Sequence, residues 1–204
     1  VPRLDYSDGG CPKLLTEVQS ENLIEYSEDF SDSYWDKTNS IITQQGDEYL
    51  LSDDNSGGSG IVALDKFSFD LGSSGTYTYS IFVKRVANKF IQLISAGFDS
   101  DGSGYSVFDI ENGHITQEGT NHIARIKQYP NGYYRLSITF TSTIDLVGGL
   151  RLYILNENGE TTNTLDGTNQ VIIANAQLEA QPQATSYIPT NVSTQQRGAD
   201  SVTN

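Results

Sequence analysis

Two-residue alternation, broken every few positions by glycine or asparagine, constrains this chain more than any other feature. From Thr76 to Arg85, Tyr77, Tyr79, Ile81 and Val83 fall on one face and Thr78, Ser80, Phe82 and Lys84 on the other, because successive strand side chains point to opposite sides. Tyr134, Leu136, Ile138 and Phe140 repeat the period against Tyr133, Arg135, Ser137 and Thr139, and Leu150, Leu152 and Ile154 repeat it again. Further strands are expected near Glu48 to Leu51, Ile61 to Leu71, Lys89 to Ala96, Tyr105 to Ile110, His122 to Tyr129 and Gln170 to Leu178. Turn sequences separate them, including Gly72-Ser73-Ser74-Gly75, Asn112-Gly113, Asn131-Gly132 and Asn158-Gly159, where glycine or asparagine accepts positive φ at little cost. Helical periodicity is almost absent. The expected fold class is all-β: an antiparallel β-sandwich or jelly roll, in which two facing sheets bury both apolar faces.

A chain of 204 residues suffices for one such domain. The sandwich is expected over 23–185, with polar, proline-bearing arms at 1–22 and 186–204 that lie along it or reach to neighbours. The start at Val1 and the lack of methionine suggest a piece of something longer. Cys11 is the only cysteine, so no internal disulfide holds the fold. No run of about 18 apolar residues points to membrane insertion. A net charge of −14 and a pI near 4.3 disfavour nucleic acid, whose binding needs clustered Lys and Arg.

Both ends of the sandwich carry a recognisable pattern. Asn22-Leu23-Ile24-Glu25-Tyr26-Ser27-Glu28-Asp29-Phe30 followed by Trp35, with Ile173-Ala174-Asn175-Ala176-Gln177-Leu178-Glu179 near the other end, resembles the opening and closing strands of jelly-roll carbohydrate-binding modules. Pro2-Arg3-Leu4-Asp5-Tyr6, Leu14-Leu15-Thr16-Glu17, Gly132-Tyr133-Tyr134-Arg135, Ala184-Thr185-Ser186-Tyr187-Ile188-Pro189-Thr190 and Arg197-Gly198-Ala199-Asp200 resemble a module recurrent in bacteriophage tail and virion proteins. Tyr133 stands where that family usually has tryptophan. The resemblance implies paired chain ends, a jelly roll, a virion or other extracellular setting, polysaccharide or cell-surface glycan as partner, and carriage on an oligomeric fibre, with a homotrimer expected. It also implies a structural calcium near the paired ends, where Glu28 or Asp29 would contribute.

Catalytic patterns are sparse. Sandwich-type glycosidases align carboxylates on one strand as Glu-x-Asp-x-x-Glu or a near variant, and no such string occurs. His114 and His122 sit beside turn residues with no nucleophile motif, so both read as surface or strand-end histidines. No cofactor is required on this reading. One metal is worth carrying: Asp99, Asp101 and Ser103, with Gly104 following, space oxygen donors as a calcium loop does, although Ile110 occupies the position of the bidentate glutamate. An ordinary Asp/Gly hairpin loop fits the same residues.

Sugars are held by flat rings and polar forks. With Ala124 and Ile126 inward, Arg125, Lys127 and Tyr129 point outward, with Tyr133 and Arg135 on the partner strand and Arg151, Tyr153, Phe82 and Lys84 disposed likewise. That places five of the 12 Lys and Arg residues on outward faces, which suggests one groove for an anionic polysaccharide; the alternative is that these cations guard strand edges. Tyr34, Trp35, Tyr49, Phe98 and Tyr105 form a second candidate, with Trp35 also fitting the core. The expected activity is non-catalytic glycan binding. A purely structural virion domain, or the binding module of a secreted polysaccharide-degrading enzyme, are the alternatives.

Overall fold

The computed structural model describes residues 3–5, 13–15, 17–98 and 104–200. Its strands are β1 (Arg3–Asp5), β2 (Lys13–Leu15), β3 (Ser20–Asn22), β4 (Asp36–Thr38), β5 (Ser40–Gln45), β6 (Glu48–Asp53), β7 (Ser59–Gly60), β8 (Val62–Asp70), β9 (Gly75–Arg85), β10 (Phe90–Ala96), β11 (Tyr105–Asp109), β12 (His114–Gln117), β13 (Ile123–Gln128), β14 (Tyr134–Ser142), β15 (Val147–Ile154), β16 (Asn163–Thr164), β17 (Gln170–Glu179) and β18 (Gln195–Arg197). No helix occurs among the described residues.

Two six-stranded antiparallel sheets carry the fold, in the orders β13-β14-β9-β17-β6-β5 and β12-β11-β10-β15-β8-β4. Eight of these strands, β6-β17-β9-β14 facing β8-β15-β10-β11, follow the strand order of a jelly roll, in which the chain crosses repeatedly between the sheets. The alternation supplies the core. Tyr77, Tyr79, Ile81, Val83, Leu136, Ile138 and Phe140 meet Leu64, Ile91, Leu93, Leu150, Leu152 and Ile154 with 1% exposure or less. Trp35 is buried in the same cluster, its Nε1 donating to the Tyr26 carbonyl at 3.0 Å.

The opening and closing segments pair, as the resemblance implies. Leu23 N donates to the Leu178 carbonyl at 2.8 Å, and Ala176 N donates to the Ser27 carbonyl at 3.0 Å. Asn22, fully buried, joins them: its Nδ2 donates to the Ala176 and Ile188 carbonyls, while its Oδ1 accepts from Ile24 N and Leu178 N. All four bonds of the amide are made, which removes the penalty a buried polar group otherwise carries.

Residues 17–22 and 186–200 run along the sandwich and do not project from it. β3 pairs with β18, and Asp200 N donates to the Glu17 carbonyl at 3.0 Å. Arg197 pairs with Glu17 at 3.2 Å and donates to the Ser186 and Val18 carbonyls. Ser27 and Thr190 exchange bonds, Ser27 N to Thr190 Oγ1 and Thr190 N to Ser27 Oγ, while Tyr187 shares a 2.6 Å hydroxyl contact with Ser27. The described residues behind the family resemblance are therefore largely those that lace the chain ends to the sandwich.

The outer face of the first sheet differs from expectation. Part of the face opposite the core is itself covered, because the segment 180–190 lies over β9 and β14 there. Thr78 Oγ1 donates to the Gln181 carbonyl at 2.8 Å and Thr139 Oγ1 to that of Pro182 at 3.4 Å. Thr78, Ser80, Ser137 and Thr139 are all buried as a result.

Candidate functional site

The tight connection Pro130-Asn131-Gly132 turns β13 into β14, with Tyr129 N donating to the Tyr133 carbonyl at 2.8 Å. Gly132 sits at φ +83°, a conformation glycine adopts without steric cost. This hairpin sets Arg125 opposite Ser137 and Lys127 opposite Arg135, while β14 sets Arg135 opposite Phe82. Arg125 and Lys127 are exposed and Tyr129 is half-buried. The Tyr129 ring lies 5.0 Å from that of Phe82, and Lys127 Nζ lies 5.5 Å from the Tyr129 ring. Between this strand and the covering arm lies an open pocket of about 200 Å³, lined by Arg125, Lys127, Tyr129, Arg135, Thr185 and Ser186 among others.

Arg135 forms the floor and not the rim, which corrects the expectation of an outward, ligand-facing guanidinium. It is 8% exposed. Its Nη2 and Nε donate to Ser80 Oγ, its Nη1 to the Thr185 carbonyl, and its plane lies 5.3 Å from the Phe82 ring. Glu179, fully buried nearby, accepts from Ser20 Oγ at 2.6 Å, from Thr185 N at 3.0 Å and from Thr185 Oγ1. Together they tie the covering arm to the sheet. Tyr133 is also buried, its hydroxyl donating to Glu48 Oε1 at 2.9 Å and its ring 5.0 Å from Lys84 Nζ. The hydrogen bond from Lys84, with that from Tyr133, holds the Glu48 carboxyl below its usual range.

Arg151 and Tyr153 lie elsewhere. They project from β15 on the outer face of the second sheet, across the sandwich from the pocket, so the seven predicted binding residues do not form one groove. β15 runs between β8 and β10, placing Arg151 opposite Asp65 and Tyr153 opposite both Ala63 and Gln92. Arg151 Nη1 donates to the Tyr153 hydroxyl at 3.0 Å, and its guanidinium carbon lies 4.7 Å from the half-exposed Phe67 ring. Asp65 and Gln92, though on an outer face, are 1% and 6% exposed. Asp65 accepts from Thr38 Oγ1 at 3.2 Å through Oδ2. Asp65 Oδ1, Gln92 Oε1 and Arg151 Nε are buried without a hydrogen-bond partner, each at a cost of about 1–3 kcal/mol. Burial raises the Asp65 carboxyl to about 6, with Arg151 pulling the other way. Sequence reasoning missed Asp65, Gln92 and Phe67; an aspartate directly after the apolar run Ile61-Val62-Ala63-Leu64 and at the outward position of the alternation was the available signal.

Other candidates resolve as structural or fall elsewhere. Trp35 and Phe98 are buried in the core and offer no ring face to solvent, Tyr49 is buried in the same cluster at the border of an open pocket, Tyr34 packs against that core and Tyr105 is half-buried. Asp99, Asp101, Ser103 and Cys11 lie outside the described residues. The Asp29 carboxylate accepts from Ser31 and from the Tyr49 hydroxyl. Among the described residues no three His, Cys, Asp or Glu side chains gather as metal ligands. His122 is not at the surface as expected: it is 6% exposed, its Nε2 2.8 Å from Ser95 Oγ and its Nδ1 2.9 Å from Ser106 Oγ. Burial lowers its pKa to about 4. Both serines are fully buried, so this serine-histidine contact is an interior bridge with no room for a substrate.

No protein-family profile and no curated protein sequence matches the chain. Several solved structures align with it in part. The enzymatically active domain of tailspike protein 4 from bacteriophage CBA120 aligns over 77% of this chain and 21% of its own, at 10% identity and a TM-score of 0.44. A mannan-recognising carbohydrate-binding module, TmCBM27, aligns over 82% of this chain and 98% of its own, at 10% identity and a TM-score of 0.37. The binding module and catalytic domain of Clostridium thermocellum xylanase 10B align over 78% of this chain and 27% of theirs, at 15% identity and a TM-score of 0.38. The chain thus spans about a fifth of the tailspike domain's length.

Proposed function

We propose that this chain is a non-catalytic carbohydrate-binding domain of a virion protein, a tail fibre, spike or head decoration, which holds an acidic host-surface or extracellular polysaccharide in the pocket beside β13. The observation that carries this reading is the exposed pair Arg125 and Lys127 flanking the Tyr129 ring in an otherwise acidic protein. A guanidinium and an ammonium meet a carboxylate, and an aromatic face covers the apolar side of a sugar ring. The pocket needs no acid or base, and the one buried imidazole bridges two interior serines.

Affinity electrophoresis through polygalacturonate and hyaluronan tests this. Wild-type protein is retarded by at least one of them, and the Arg125→Ala/Lys127→Ala double variant loses at least about tenfold in affinity, because both side chains are exposed and their removal leaves the fold intact. Unchanged retardation of the double variant refutes the site. A role as a purely structural fibre domain gripping neighbours through free arms is disfavoured by residues 17–22 and 186–200, which bond to their own sandwich. The homotrimer proposed for the virion setting is tested by light scattering.

A further inference from the structure

We infer that Arg197 is a positioning residue for glycan binding, an inference that rests on the reading of the pocket just given. Docked on the sandwich through β18, it holds the wall of the pocket that faces β13, so the site is complete only while the two chain-end segments stay in place. Strands β13 and β14 bring Arg125, Lys127 and Arg135 to the pocket, with Tyr129 from their connecting turn. The facing wall is built differently: residues 183–186 and Glu17 supply it, from segments that follow and precede the sandwich strands. Arg197 lines no part of the pocket, yet it joins both of these segments.

One guanidinium makes the junction. Its Nη1 donates to the Ser186 carbonyl at 2.9 Å and pairs with Glu17 Oε2 at 3.2 Å, while its Nη2 donates to the Val18 carbonyl at 3.2 Å. Glu17 Oε1 in turn accepts from Ser186 N at 2.7 Å, so Ser186 is gripped at both of its backbone polar groups. Thr185 beside it is held from the sheet, its carbonyl by Arg135 and its N–H by Glu179. A planar fork can meet several acceptors at once in fixed directions, which an ammonium cannot. When β18 leaves β3, Ser186 loses its Arg197 donor and Glu17 loses its Arg197 partner. The Glu17 carboxylate then competes with an acidic glycan for Arg125 and Lys127, which line the same pocket. Docking and binding are therefore linked: molecules with the segments undocked are lost to binding, and bound glycan favours the docked form by the same factor.

The test uses the intact chain with polygalacturonate and hyaluronan. Arg197→Ala, although outside the pocket, loses at least about fivefold in affinity for whichever polymer retards the wild type. Trypsin cleavage of the wild type after Arg197 reads the same linkage in reverse and needs no variant, because the guanidinium must leave Glu17, Ser186 and Val18 before the protease can take it. Polymer at about ten times its Kd slows release of 198–204, followed by mass, about tenfold. The same polymer leaves that rate unchanged in Arg125→Ala/Lys127→Ala, which separates docking of the segments from inhibition of the protease. If the wild type is retarded but its cleavage rate ignores the polymer, or Arg197→Ala binds as tightly as wild type, this inference is overturned and the pocket stands. Retardation of the wild type by neither polymer overturns both.

Discussion

Acidification from about pH 7.5 to about pH 5 measures how deeply the His122 ring is held in its neutral form. The imidazole ionises near 6.5 in an unfolded chain and near 4 in the folded one. Because the folded value is depressed, the neutral ring's contribution is fully present above 6.5 and is lost as pH falls toward 4, where the unfolded chain takes up the proton first. By pH 5 the loss is about 2 kcal/mol. Asp65 acts in the opposite sense. Its carboxyl ionises near 6 when folded against 3.8 when unfolded, so its stability contribution is present at low pH and lost as pH rises through 6. Over the same interval of acidification it returns about 1.4 kcal/mol. Wild type therefore loses only about 0.6 kcal/mol from the pair, while His122→Gln, whose amide can still bridge Ser95 and Ser106, keeps the Asp65 gain without the imidazole loss. Urea denaturation followed by the fluorescence of Trp35, the only tryptophan, reports the difference at each pH. Carboxylates common to both proteins cancel in the comparison, so the variant gains about 2 kcal/mol relative to wild type on acidification. Equal changes in the two proteins would refute the buried, neutral imidazole.

Three further outcomes follow from the packing. Arg135→Met leaves the Thr185 carbonyl and Ser80 unpaired beneath the covering arm and lowers unfolding free energy by about 2–4 kcal/mol in urea; the same variant read only for glycan binding would mislead. Asn22→Leu abandons four buried backbone partners and costs about 3 kcal/mol or more, with residues 186–200 becoming protease-sensitive before the core does. Gly148→Ala places a Cβ 2.4 Å from the Ala96 carbonyl oxygen and 2.9 Å from the Phe98 ring, so the melting temperature falls by several degrees, consistent with about 1–3 kcal/mol of overpacking.

The sandwich was legible because period-two patterning is written strand by strand: the apolar sides of β9 and β14 point where alternation puts them. What the pattern leaves open is which outward faces something else covers. Arg135 does point away from the core, yet the segment 180–190 lies on top of it. A clue was present in Thr78, Ser80, Ser137 and Thr139, short hydroxyl residues where an exposed face usually carries long charged ones. Arg125, Lys127 and Tyr129 were placed together correctly because one strand and its turn hold all three. Arg151 and Tyr153 were joined to them in error, since alternation says which side of its own sheet a residue faces but not which of two sheets its strand joins. Asp65 and Gln92 meet through β15 at separations in sequence that no local pattern records.

The ladder between β3 and β18 has a mechanical consequence. Ser20 stands opposite Arg197 and Asn22 opposite Gln195, so tension applied at residues 17 and 200 opens the strands like a zipper and loads their bonds in succession, not all together in shear. The anchoring of Glu17 by Arg197 and Asp200 is the first to feel that pull. Under such tension this ladder gives way bond by bond, at a lower load than strands sheared along their length would need.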